Sequence, residues 1–360
     1  MRKSPKTVLL MSALTLLATA CSNSGTGLPA ASTGGMADCS GESIKSVQTA
    51  VTLVYMPANI AENEGYFENL GLDVEMLSSG VSTESLSAVA AGSADVAVLS
   101  LSQTMLARDR GAPVKVISMV TSPIAVQLVI KRAIAEKLGL TESSSGDERA
   151  RALKGLTIGM TNVGSASERV PRFMLESVGL DPDKDAKMIP IGDASAAVAA
   201  FVKGQIDVLS YSSPVSNQAM KEGDGVSLAN IAAGDVPALS NYNSVVTVAN
   251  ERDIEDHPTK YVCYLAGLQH AMDDIATEGY EAAGAKAYAS YGKLDRELFD
   301  AGLKDTAPSF SESIVVSEDH VKRARDFLES FGDKVSDETV ESIVAPDLIE
   351  LGLQMAKDSK

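Results

Sequence analysis

A chain of 360 residues with 48 Asp and Glu against 31 Lys and Arg has a formal net charge of −17. That balance argues against nucleic acid and against an anionic membrane face as partners. Hydrophobic residues make up 45% of the chain, which excludes disorder for the bulk, and the length suits two domains.

The N-terminus reads as an address. Arg2, Lys3 and Lys6 precede the apolar run VLLMSALTLLATA, which is too short and wrongly flanked to span a bilayer. Leu17-Ala18-Thr19-Ala20-Cys21 then resembles a bacterial lipoprotein signal, whose Cys carries the lipid. We therefore expect a signal peptide over 1–20, lipidation at Cys21 and a Gly/Ser-rich tether over 21–47. Cys39 and Cys263 remain, and an exported chain allows them to pair.

From Thr49 the pattern is α/β. TAVTLVY suggests an opening strand over 49–55, and Pro57 suits the start of the helix that follows. The stretch Met76–Gln103 is then said twice. At one constant offset, seven residues recur over Met188–Asn217: Met76/Met188, Gly80/Gly192, Ala88/Ala200, Gly92/Gly204, Asp95/Asp207, Val96/Val208 and Ser100/Ser212. Each copy predicts strand, helix, tight turn, strand. Gly92 and Gly204 sit where a helix ends on a left-handed residue, and Asp95 and Asp207 are expected to be turn residues. Between the copies, further strands are expected over 114–119, 124–131 and 156–160. Ser165 with Glu168 fits a capping box. Later strands are expected over 227–233 and 243–249. Helices are expected from Pro258 to Ile275 and over 280–291, 320–331 and 335–355.

These motifs carry a family resemblance. Glu64-Gly65-Tyr66-Phe67, Leu70-Gly71-Leu72-Asp73-Val74-Glu75, Gly92-x-x-Asp95-Val96, Gly111-Ala112-Pro113-Val114-Lys115-Val116 and Leu153-Lys154-Gly155-Leu156-Thr157-Ile158-Gly159 occur in this order. Together they resemble the sulfonate/taurine/nitrate/thiamine-precursor branch of ABC-transporter substrate-binding proteins. The resemblance covers about Thr49 to Phe331. It implies a periplasmic-binding-protein-like α/β fold with two lobes, a ligand cleft between them and a helical C-terminal segment. Lobe I would comprise 48–123 and 245–360, with lobe II over 124–244, and the second crossing would lie near 241–245. It also implies a membrane permease as partner, a separate ATPase subunit, membrane contact through the lipid anchor, and a monomer.

No Cys/His group has metal-ligand spacing, and neither a Walker-type phosphate loop nor a G-x-S-x-G elbow is present. We expect no metal, no cofactor and no catalysis. The family's pyrimidine-synthesising member is the enzyme rival; the resemblance implies a His and an iron site for it, and the matching cleft stretches contain no His or Cys.

Ligands in open α/β sheets gather beyond the carboxyl ends of strands, where helix N-termini supply N–H groups. The residues expected to bind are therefore Met56, Asn59, Gly80, Ser82, Thr83, Ser100, Ser102, Gln103, Thr121, Thr161, Asn162, Ser165, Asp193, Tyr211 and Ser212. Asp193 would favour an amine, and Tyr211 or Tyr242 would stack on a ring. The expected ligand is a small organic anion, sulfonate-like or a carboxylate. A thiamine-precursor pyrimidine, another small heterocycle or a sensing role is the alternative.

Overall fold

The computed structural model describes residues 38–48, 51–79, 82–239, 244–336 and 338–360, with Ser82 by its backbone alone. The signal peptide, Cys21, most of the tether, Gly80, Tyr242 and much of the expected second crossing lie outside the described residues.

Among the described residues, ten strands form two mixed sheets: β1 (Ser43–Gln48), β2 (Asp73–Ser78), β3 (Val96–Ser100), β4 (Val114–Thr121), β5 (Gln127–Lys131), β6 (Thr157–Met160), β7 (Lys187–Pro190), β8 (Val208–Tyr211), β9 (Gly225–Asn230) and β10 (Val245–Asn250). Lobe I has the order β2-β1-β3-β10-β4 and lobe II the order β7-β6-β8-β5-β9. In each sheet one strand runs antiparallel to its neighbours, β10 in the first and β5 in the second. Each of these strands follows a crossing from the other lobe.

The internal repeat is a real duplication of structure. The helices of the two copies, Ser82–Ala90 and Ala194–Val202, begin 112 residues apart, as Met76 and Met188 do. Gly92 and Gly204 both take left-handed backbone, with φ of 73° and 69°. The next amide in each, Ser93 or Gln205, closes back on the carbonyl of Ala88 or Ala200. The aspartates bracket the neighbouring strand. Asp95 N–H donates to Lys45 O (3.0 Å) while its Oδ2 accepts from Lys45 N–H (2.7 Å). Asp207 does the same with Thr157, at 2.8 Å each way. Losing such an acceptor strands a backbone donor at the sheet's end, which costs about 1–3 kcal/mol. Asp207→Ala is expected to fall in that range by urea unfolding. Asp95→Ala is expected to cost more, because buried Lys260 also pairs with Asp95. Equal midpoints for Asp207→Ala and the wild type would contradict the bracket.

Several expectations need correction. The opening strand is Ser43–Gln48, not 49–55, so it takes the last residues given to the tether. Its Ile44, Ser46 and Val47 are buried, whereas the more apolar Leu53–Tyr55 forms a 3-10 turn leading into the helix Met56–Asn63. Hydrophobicity favoured the wrong run. The repeat offset marks the right one, since it carries Thr157 at the start of β6 back to Lys45 in β1. Gln127 rather than Ile124 opens β5, and the span 335–355 breaks at Val344–Ala345 into two helices. A further helix, Arg296–Thr306, lies between the C-terminal helices singled out above.

The C-terminal helices complete the core of lobe I. Pro258–Glu278 lies beneath its sheet, with Tyr264 stacked on Phe67 (5.2 Å between centroids) and Tyr264 facing Ser46 of β1 (3.4 Å). Gly267 lets Phe67 approach, for a Cβ there would stand 2.5 Å from its ring. Cys39 and Cys263 form a disulfide with Cα atoms 6.2 Å apart, which ties the segment before β1 to this helix.

Candidate functional site

The carboxyl ends of β3 and β8 face each other across the seam between the lobes. A cavity of about 110 Å³ lies there, with room for several waters. Its apolar side is Val54, Val98, Leu99, Ile124, Ala125, Val126 and Val245, and its polar side is built from hydroxyls and amides. Among the described residues, no Asp, Glu, Lys, Arg, His or Cys lines it.

Two helices start at the polar side, one from each lobe. Ser100 ends β3 and caps the helix Leu101–Asp109, its Oγ accepting from Gln103 N–H at 3.2 Å. Opposite, Ser165 precedes the helix Ala166–Ser177. The expected capping box does not form there. Glu168 reaches back to Gly164 N–H (2.6 Å), while the Ser165 hydroxyl joins Thr161 and Ser167 in a triangle of oxygens 2.7–2.9 Å apart. Thr161 N–H also donates to Ser167 Oγ (3.0 Å). Three hydroxyls that now satisfy one another can redirect their protons to an acceptor in the cavity. First-turn N–H groups lack intrahelical partners and bring a partial positive charge, so two converging helix starts favour a negative group.

Tyrosines close the site from both lobes: Tyr55 is 4% exposed and Tyr211 2%. Burial, with Tyr55 beside it, pushes the Tyr211 hydroxyl above the usual tyrosine range. Tyr211 therefore stays protonated and donates to Gly192 O (3.0 Å).

Of the residues singled out in the sequence, Ser100, Gln103, Thr161, Asn162, Ser165, Tyr211 and Ser212 line this cavity. The others lie elsewhere. Met56 is in the lobe I core. Asn59 donates to Tyr291 (2.8 Å), whose hydroxyl holds the Thr52 carbonyl (3.0 Å), so it supports a cavity wall from behind. Ser102 points inward beside Ser100, and Thr121 is fully buried at the end of β4. Thr83 is exposed beside a second, outer cavity. Asp193 caps the helix Ala194–Val202 through Ala196 N–H (2.7 Å), which leaves the cavity without the carboxylate expected there. Gly80 and the Ser82 side chain lie outside the described residues.

Thr52, Val54, Tyr55 and Ser167 were missed. The first three follow from the misplaced strand: with β1 ending at Gln48, residues 51–55 lie beyond its carboxyl end instead of inside a strand. The repeat offset again held the signal, because it carries Gly164 and Ser167 onto Thr52 and Tyr55.

A family model described as NMT1/THI5 like matches residues 53–282. The chain belongs to the NMT1/THI5-like family. A Haemophilus influenzae relative named for thiamine biosynthesis is 26% identical over 255 residues, covering 69% of this chain and 74% of its own. A Saccharomyces cerevisiae relative named 4-amino-5-hydroxymethyl-2-methylpyrimidine phosphate synthase THI13 is 23% identical over 244 residues, covering 64% of this chain and 66% of its own. The alkanesulfonate-binding protein SsuA of Xanthomonas axonopodis pv. citri, solved with MOPS, superposes with a TM-score of 0.65 at 17% identity. It covers 85% of this chain and 98% of its own, so this NMT1/THI5-like chain has the periplasmic-binding-protein fold.

Proposed function

We propose that this protein is the extracytoplasmic solute-binding component of an ABC importer and that it captures a small organic anion by closure of its lobes. The observation that carries this reading is the cavity at the seam, where one helix start from each lobe meets a cluster of hydroxyls with no carboxylate among the described lining residues. A sulfonate or carboxylate head would sit between Ser100 and Gln103 on one side and Thr161, Ser165 and Ser167 on the other. A compact apolar body would lie on Ile124–Val126, Val54 and Val245. Asn162, Ser212 and Tyr211 would complete the pocket. The site offers a ligand shape and charge complementarity, and among the described lining residues no Asp, Glu, His, Lys or Cys stands by to activate a hydroxyl, which supports a binding role. Lipid on Cys21 would hold the protein at the membrane beside its permease, a separate subunit would hydrolyse ATP, and the chain would act as a monomer.

A second reading has its own support. The relatives named for thiamine-pathway functions and the two tyrosines at the cavity favour a pyrimidine thiamine precursor. Thermal unfolding against a panel separates the two. Alkyl and aryl sulfonates and small carboxylates should raise the midpoint, since a ligand at about 100 times its Kd adds roughly 2.7 kcal/mol. A shift confined to 4-amino-5-hydroxymethyl-2-methylpyrimidine would replace the anion reading with the pyrimidine one.

A further inference from the structure

The segment from Glu318 to Ser342 belongs to lobe I at both ends. Val321, Ala324 and Leu328 of the helix Glu318–Ser330 lie in the lobe I core. Downstream, Ser336 N–H donates to Asp109 (3.1 Å), and Arg108 Nε pairs with Glu338 (3.1 Å) while its Nη2 holds the Ser342 carbonyl (3.0 Å). Arg108 also contacts Glu251 and the Val114 carbonyl, so this anchor is a half-buried hub fixed to the lobe I sheet.

Between the anchors the segment crosses to the other lobe. Phe327, 1% exposed, is part of the lobe II core, and its ring meets Phe173 (6.5 Å) and Phe331 (5.1 Å). Arg169, on the helix Ala166–Ser177 that starts at the cavity, pairs with Asp333 (2.7 Å) and lies over the Phe331 ring (5.3 Å). Arg169, Phe331 and Asp333 border an outer cavity of about 470 Å³ that shares Gln103 with the inner one.

We infer that residues 327–333 form a clasp: an arm of lobe I that grips lobe II through Arg169 and Phe173, holds the cleft shut, and lets go when it opens. The other seam cannot be the one that parts. There Asp305 accepts from Asn217 (2.7 Å) and its carbonyl accepts from Asn230 (3.1 Å), beside the covalent crossing from β4 to β5. Chain continuity makes that side the pivot. The clasp has no covalent crossing among the described residues, and the Arg169–Asp333 pair, the ring contacts of Phe331 and the burial of Phe327 hold it.

Native-state hydrogen exchange of the full chain, with no ligand present, tests this separately from any reading of the cavity. Arg169→Met and Asp333→Asn should each speed exchange up to about fivefold, the range expected of such a pair. The acceleration should appear together at the clasp and at both cleft walls, Leu99–Gln103 and Thr161–Ser165. The charge swap Arg169→Asp with Asp333→Arg should restore slow exchange. Acceleration confined to the clasp, no acceleration in either single variant, or a swap as fast as the singles would overturn the inference.

Discussion

Replacing Cys39 and Cys263 together by Ala is expected to lower the unfolding free energy by about 2–5 kcal/mol, toward the upper end because the bond closes so long a loop. The two cysteines are 224 residues apart in sequence, so the bond restricts most of the denatured chain. The folded state has its own stake. Cys263 sits in the helix Pro258–Glu278, whose Tyr264 and Gly267 pack against Ser46 and Phe67, and Cys39 lies four residues before β1. Without the bond, the chain that feeds β1 is held by local packing and by backbone bonds such as Asp73 N–H to Glu42 O (3.1 Å). Urea titrations of the wild type with and without reductant, and of the double variant, measure the effect. Midpoints that coincide under all three conditions would show that the bond contributes nothing.

Placing a carboxylate at Ser165 is expected to abolish binding of a sulfonate or carboxylate that the thermal panel identifies. Ser165 is the residue before the helix Ala166–Ser177 and lines the cavity. Stability should fall modestly in Ser165→Asp and in Ser165→Asn, since each breaks the bonds to Thr161 and Ser167, and urea unfolding of the ligand-free proteins separates that loss from lost binding. Two like charges about 4 Å apart repel by roughly 4 kcal/mol at an effective dielectric of 20, on the order of a thousandfold in affinity. No cation among the described lining residues would offset that. Ser165→Asn, similar in shape and neutral, should keep most of the affinity. The sign of the change is the decisive feature. If Ser165→Asp binds that ligand as tightly as the wild type or more tightly, its negative head does not sit at Ser165 and the anion seat is wrong.

The two variants probe levels of information that were unequally legible in the chain. The sequence by itself determined the duplicated β-α-β unit, because its marks are local. A left-handed glycine ends each helix, an aspartate opens each following strand, and both roles depend on a few neighbouring residues. The family motifs and the hydroxyls at strand ends were equally readable, which is why Ser100, Thr161, Ser165 and Ser212 were named and are found at one cavity. The first strand was misread for a local reason too. TAVTLVY is more apolar than SIKSVQ, yet Ser46 is buried against Tyr264, a partner 218 residues away.

Only the tertiary structure decided what depends on such distant partners. It turned Asp193 from a cleft carboxylate into a helix cap and set Asn59 behind the wall through Tyr291. It also brought Tyr55 from one lobe to the cavity that Tyr211 lines from the other. Nothing near Phe327 or Asp333 in the chain says that they cross to the second lobe, since their partners Phe173 and Arg169 lie more than a hundred residues upstream. Local signals fix where helices and strands start and stop. Which faces meet is set by burial and charge pairing across the whole fold.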